Sequence, residues 1–175
     1  YFENLKNSGY IITENKIYKC LMDVGSIAPK YQPGHSHAQT LCFELSLFKH
    51  RVFVNTGVSQ YEEDERRLIE ISTLAHNTLT YNYENSSEVC SSFRVARKAK
   101  TFDVSIKKSK KYININACHD GYSRFNKNLI HNRQWIFNDN NIIITDKLHK
   151  NYIFHCNLIL EPNVKLTKKH DKYSI

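Results

Sequence analysis

The run Thr40-Leu41-Cys42-Phe43-Glu44-Leu45-Ser46 decides the fold class. Leu41, Phe43 and Leu45 occupy every second position, with Thr40, Cys42, Glu44 and Ser46 between them. Side chains of a strand point alternately to opposite faces, so this is the pattern of a half-buried β-strand. The pattern extends on both sides. Tyr10-Ile11-Ile12 and Ile17 to Asp23 read as strands around a turn at Glu14-Asn15, and Arg51 to Val54 comes after a short link at Phe48-Lys49-His50. Downstream, Asn77 to Tyr83, Phe93 to Ala96, Thr101 to Ile106 and Tyr112 to Ala117 continue the series. Asn132 to Asn138, Ile142 to Asp146, Tyr152 to Leu160 and Val164 to Leu166 complete it. Turn signals separate them, often as clusters such as Asn138-Asp139-Asn140-Asn141. Many short strands at about 8–12-residue spacing mean a sandwich or barrel. The expectation is an all-β chain, an antiparallel multi-layer β-sandwich. The one helical candidate is Glu62 to Ile71, acidic at its start with Leu68 and Ile69 later; the same stretch could equally be a polar loop.

Composition excludes several classes. Aromatics are 12% of the 175 residues, with 11 Tyr and 9 Phe, which excludes a disordered chain. Only 3 Pro and 5 Gly are present, which excludes collagen-like and linker-like chains. No apolar run approaches the ~18 residues of a membrane-spanning helix. No linker or internal repeat divides the sequence, so residues 1–175 read as a single domain. No signal peptide opens it: the chain begins Tyr-Phe-Glu-Asn without a Met and reads as a fragment or a processed product.

Lys plus Arg is 25 and Asp plus Glu is 17, a net charge of +8. That balance suits an acidic partner, or simply solubility. The basic clusters Arg94/Arg97/Lys98/Lys100, Lys107/Lys108/Lys110/Lys111 and Lys165/Lys168/Lys169/Lys172 read as solvated strand ends and turns. No helix-turn-helix, RNP-like or zinc-finger pattern accompanies them, so nucleic acid is not an expected partner. Five cysteines, an odd number without a CxxC pair, argue against a disulfide framework and a thiolate zinc site. Cys42 and Cys156, among apolar neighbours, read as small buried side chains.

Chemistry enters at Gly34-His35-Ser36-His37, just before the deciding run. An H-x-H pair at the mouth of a strand points both imidazoles to one face. There they can share a metal, or divide between metal and substrate. Two surface or hydrogen-bonded histidines are the plain alternative.

Motifs further along the chain give the pair its meaning. In order come Val52-Phe53-Val54-Asn55-Thr56-Gly57, Tyr61, Ser72-Thr73-Leu74-Ala75-His76-Asn77-Thr78, Ser87-Glu88-Val89 and Ser92-Phe93-Arg94-Val95-Ala96-Arg97. His119-Asp120-Gly121-Tyr122 and His131-Asn132-Arg133 come later. Together and in this order they resemble the C-terminal β-domain of the heparinase II/III-like family of polysaccharide lyases, from about Gly25 to about Glu161. The resemblance implies a β-sandwich that works with an N-terminal α/α toroid, absent from this chain, with substrate in the cleft between them. It implies β-elimination on an acidic, uronate-containing polysaccharide such as a glycosaminoglycan, in the periplasm or outside the cell. His35 then stands at the catalytic His, and Tyr61 is a proton-transfer candidate. His37 and His76 stand at two ligands of a divalent metal, usually zinc. The third ligand of the family is an Asp, and here that position is Asn55, a weaker neutral donor. Gln39 stands where many relatives have Asp, and Ile71 where many have Arg.

Arg67 and Asn77 are the substrate-binding candidates, and Asn77 could instead orient the ring of His76. His119, Asp120, Tyr122 and His131 read as structural, around a turn at Gly121, and Glu88 and Arg94 as a cross-strand pair. Without the toroid the chain carries half a cleft and is expected to have no appreciable lyase activity alone. The alternative is a non-catalytic carbohydrate-binding or structural β-domain, suggested by the two acids replaced with amides.

Overall fold

The computed structural model describes residues 1–28, 33–148, 152–169 and 172–174. Alternation carries most of them into short strands. β1 (Phe2–Leu5), β2 (Tyr10–Glu14), β3 (Tyr18–Asp23), β4 (Phe43–Leu47) and β5 (His50–Phe53) pair in that order as an antiparallel sheet. A six-residue helix α1 (Glu65–Glu70) and the short strands β6 (Leu79–Tyr81), β7 (Val89–Ser91) and β8 (Arg94–Val95) come next. The second sheet is built from β9 (Thr101–Lys108), β10 (Ile113–His119), β11 (His131–Phe137) and β12 (Ile142–Lys147), in the order β12-β11-β10-β9. β13 (Phe154–Cys156) pairs with β6, β14 (Thr167–Lys169) with β15 (Lys172–Ser174), and β7 with β8.

One core joins the two large sheets. Ile11, Tyr18, Cys20, Met22, Phe43 and Leu45 from the first meet Ile115, Ala117, Trp135 and Phe137 from the second. Burying a large apolar side chain contributes about 1.5–3 kcal/mol, so this interface is what makes the chain a sandwich. β11 shows the alternation most clearly: His131, Arg133, Trp135 and Phe137 all face inward and are buried. The apolar pair fills the core, and the polar pair lies at the end of the strand nearer the His76-Asn77 segment.

Several expected boundaries move. Leu41, Phe43 and Leu45 are buried as expected, but so are Thr40 and Cys42. Leu41 has a positive φ of 59° and Cys42 N–H donates to Gln39 C=O, so a turn precedes the strand and β4 begins only at Phe43. β1, β7 and β15 had no alternating signal. Tyr152 to Leu160 narrows to β13, with a separate bridge at Leu160 to Phe53 of β5. Val164 to Leu166 is not a strand; the strand starts at Thr167. The helical candidate is a helix, shortened to α1 and capped by the Asp64 carboxylate, which accepts from Arg67 N–H at 2.8 Å. No helix among the described residues is long and apolar enough to cross a membrane.

Candidate active-site groove

The H-x-H pair does not sit on a strand. Pro33–His35 is a single 3-10 turn, and the chain then runs irregularly to β4. Its anchor is Ala38, fully buried, whose N–H donates to Ile71 C=O at 2.8 Å. The Ala38 carbonyl accepts from Thr73 Oγ1 at 2.6 Å and Ser86 Oγ at 3.1 Å. These bonds fasten the H-x-H segment to the chain just after α1, which brings two distant histidine segments together. His37 Nδ1 lies 3.2 Å from His76 Nε2. His35 is exposed, and its ring meets Tyr61 edge-on with centroids 5.7 Å apart.

His35 and His37 line one groove of about 410 Å³ with Asp23, Ser36, Gln39 and Asn55. The groove passes Ser8, Tyr10 and Ser26 into a wider one of about 900 Å³ that reaches Asn4, Lys6 and Thr101. Its floor depends on two glycines. Gly9 has φ of +76°, and a Cβ there would lie 2.2 Å from the Gly25 Cα, so only glycine lets the β1–β2 turn approach the end of β3 this closely.

Burial dominates the electrostatics of the histidine pair. It pulls His76 down to about 3, with the neighbouring His37 adding to the effect. His37 is lowered by burial first and by the Arg67 charge second. Both rings are therefore neutral at neutral pH. The amides beside them form a relay: Asn55 Nδ2 donates to Gln39 Oε1 at 3.2 Å, and Gln39 Nε2 donates to Asp23 Oδ2 at 2.9 Å. Asn55 Oδ1 accepts from Gly57 N–H at 3.0 Å. An aspartate at 55 could not donate to Gln39, and one at 39 could not donate to Asp23, so the two amides belong to one network. Asp23, raised by burial against the hydrogen bonds from Gln39 and Gly25, is the groove carboxyl that the sequence did not single out.

The same network bears on the zinc expectation. A nitrogen pair at 3.2 Å suits two ligands of one ion, but it equally suits a hydrogen bond. The amide oxygen of Asn55 is engaged by Gly57. Among the described residues no group of three or more His, Cys, Asp or Glu could hold a metal ion. Asn55, at the position expected for the third ligand, is held in hydrogen bonds to Gln39 and Gly57.

The substrate-binding candidates separate. Asn77 is fully buried. Its Nδ2 donates to Phe43 C=O and Val54 C=O, and its Oδ1 accepts from Ile159 N–H at 2.6 Å. Both polar atoms of its side chain are engaged, so Asn77 braces the start of β4, Val54 just past β5 and the segment after β13. Arg67 is also fully buried, beside Tyr61 and Phe93.

Behind the groove lies a second polar cluster. Gly121 N–H donates to His119 Nδ1 at 3.0 Å, which puts the His119 proton on Nε2. That proton is directed at His131 Nδ1, 3.0 Å away, and His131 Nε2–H donates to Asp146 Oδ1 at 2.7 Å. Arg133 binds both carboxylate oxygens of Asp146, at 2.6 and 2.8 Å, and also donates to Leu41 C=O and Asn77 C=O. Burial alone would raise the Asp146 carboxyl, but the bonds from His131 and Arg133 hold it well below the usual range. The cluster's hydrogen bonds join β10, β11 and β12, and through Arg133 it holds the His76-Asn77 segment. Glu88 pairs with Arg97 at 3.7 Å, not with Arg94. The five cysteines are free; Cys156 is exposed rather than buried, at the rim of this cluster.

Solved structures share this fold. A heparinase III structure is 17% identical, with a TM-score of 0.73, over 97% of this chain and 25% of that one. A second heparinase III structure is 16% identical, with a TM-score of 0.73, over 98% and 26%. A heparan sulfate lyase from Pedobacter heparinus is 18% identical, with a TM-score of 0.64, over 84% and 22%. The chain thus spans about a quarter of the length of these relatives. A search of curated protein sequences finds no match. The family model for the heparinase II/III-like C-terminal region matches residues 1–175, and the chain belongs to that family.

Proposed function

We propose that this chain forms the β-sandwich half of a polysaccharide lyase cleft that cleaves an acidic, uronate-containing polysaccharide by β-elimination. The observation that carries this is the exposed His35 ring against Tyr61 at the mouth of the groove. In β-elimination a base takes the C5 proton of the uronate and the C4–O bond breaks. The leaving oxygen then gains a proton, and the new end carries a C4–C5 double bond. His35 and Tyr61 are suited to these two proton transfers, and each such transfer is worth about 10²–10⁴-fold. The remaining groups would come from an N-terminal toroid of a longer protein. The share of the relatives that this chain covers supports that arrangement. Polymers of this kind lie outside the cytoplasm, so the proposed site of action is periplasmic or extracellular.

In the longer protein, His35→Ala is expected to lower turnover of a uronate polymer by at least about 10²-fold, with binding of the polymer retained. Unchanged turnover would remove His35 from the chemistry. The Asn55–Gln39–Asp23 relay, with amides where the family has acids, favours a second reading, a sandwich that binds acidic glycan without cleaving it. That reading requires binding with no cleavage by the longer protein.

A further inference from the structure

Two arginines are fully buried among the described residues, and the fold treats them in opposite ways. Arg133 is saturated: it binds both oxygens of Asp146 and two main-chain carbonyls. Arg67 is not. Its Nε, Nη1 and Nη2 are all buried without a hydrogen-bond partner among the described residues. The nearby acids are engaged elsewhere. Asp64 caps α1 and accepts from Gln60, while Glu70 takes Ser59 and Arg66. What Arg67 does have is aromatic cover, with the Tyr61 and Phe93 rings 5.6 and 5.7 Å from its guanidinium carbon. Cation–π contact offsets part of the cost of a desolvated charge, but it does not satisfy the N–H fork at the edge of the plane. An uncompensated buried charge is strongly destabilising, so the open fork of Arg67 is suited to a partner of opposite charge.

The position of Arg67 narrows what that is. It lies behind Tyr61, the ring that meets His35, and its charge is felt at His37 in the groove wall. Tyr61 is 63% exposed and sits in a stretch without regular structure between β5 and α1. Tyr61 is thus the exposed ring in contact with the Arg67 guanidinium on one side and His35 on the other. We propose that Arg67 is the receptor for an oxyanion, a sugar carboxylate or a sulfate ester, which enters between His35 and Tyr61 and takes the guanidinium fork in bidentate fashion. This deepens the acidic-glycan reading and rests on it for the sugar. The oxyanion binding itself is independent of any cleavage.

The test uses the 175-residue chain in a buffer free of polyvalent anions. Thermal midpoints are read with glucuronate, with inorganic sulfate, and with chloride at matched ionic strength. The expected result is a rise of about 3–5 °C at ten times the dissociation constant of the binding anion, and none with chloride. A response to glucuronate alone identifies a carboxylate receptor, to sulfate alone a sulfate receptor, and to both a general oxyanion site. Arg67→Met is expected to melt no lower than the parent without anion, because an unpaired charge is gone, and to lose the response. A response that survives in Arg67→Met, or no response in the parent chain, overturns the proposal. If Arg67→Met does not fold, the Arg67 Nε–H resonance of the parent chain decides: it shifts on titration, or the proposal fails. Anion binding here with no cleavage by the longer protein would keep this receptor and remove the lyase reading. Cleavage without anion binding at Arg67 would do the reverse.

Discussion

At the scale of single residues the chain is governed by which buried groups have partners. His37, His76, His119 and His131 are all held neutral chiefly by burial. Their folded pKa values lie below the unfolded value of about 6.5, so below that pH the unfolded chain binds protons that the folded chain refuses. Stability is therefore present above about pH 6.5 and lost as the pH falls. The loss is about 1.4 kcal/mol per pH unit for each ring that stays neutral. Urea midpoints at pH 7.5 and 5.5 check this: the expected midpoint is clearly lower at 5.5, and an unchanged one would mean the rings are not buried neutral. The metal question belongs here too. With Asn55 bound to Gln39 and Gly57, elemental analysis of the purified chain is expected to find well below one zinc per chain, unchanged in His37→Ala. One zinc per chain, lost in that variant, would show that the amide serves as the third ligand after all. Sequence alone placed His35, His37 and His76 near one another through the order of the motifs. It could not give Asp23, because nothing in Leu21-Met22-Asp23 marks a strand end as a groove wall.

At the scale of elements, alternation made most strands legible, and its failures have local causes. Thr40 to Cys42 alternates in sequence, yet a turn with Leu41 at positive φ buries both sides. β1 carries no alternation and pairs with β2 because the turn from Leu5 to Tyr10 returns it there. The helix signal was legible as an acidic start, and Asp64 turns out to be the cap. Asp64→Ala is expected to cost about 1 kcal/mol, the usual value of an N-cap, read as a lower urea midpoint with unchanged slope. No change would mean that packing of Arg67, not the cap, holds α1. The H-x-H pair was expected on a strand mouth. It sits instead on a 3-10 turn pinned through Ala38, so its two rings share a groove without sharing a strand face.

At the scale of the whole molecule, two sheets close on one core, and the groove runs along their rim from His35 toward Lys6. The sandwich was legible from turn spacing and the family from ordered motifs. The pairing of Arg133 with Asp146 was not, because Arg133 on β11 occupies an inward position that alternation assigns to apolar side chains. The chain spans about a quarter of its structural relatives, and its His35–Tyr61 pair lies open to solvent. The most direct measurement is the chemistry of the ends that the longer protein creates on a uronate polymer. β-Elimination is expected to leave a C4–C5 double bond at each new non-reducing end, seen as ultraviolet absorbance that grows with every bond cut. Saturated ends, or polymer bound but never cut, would contradict the lyase reading.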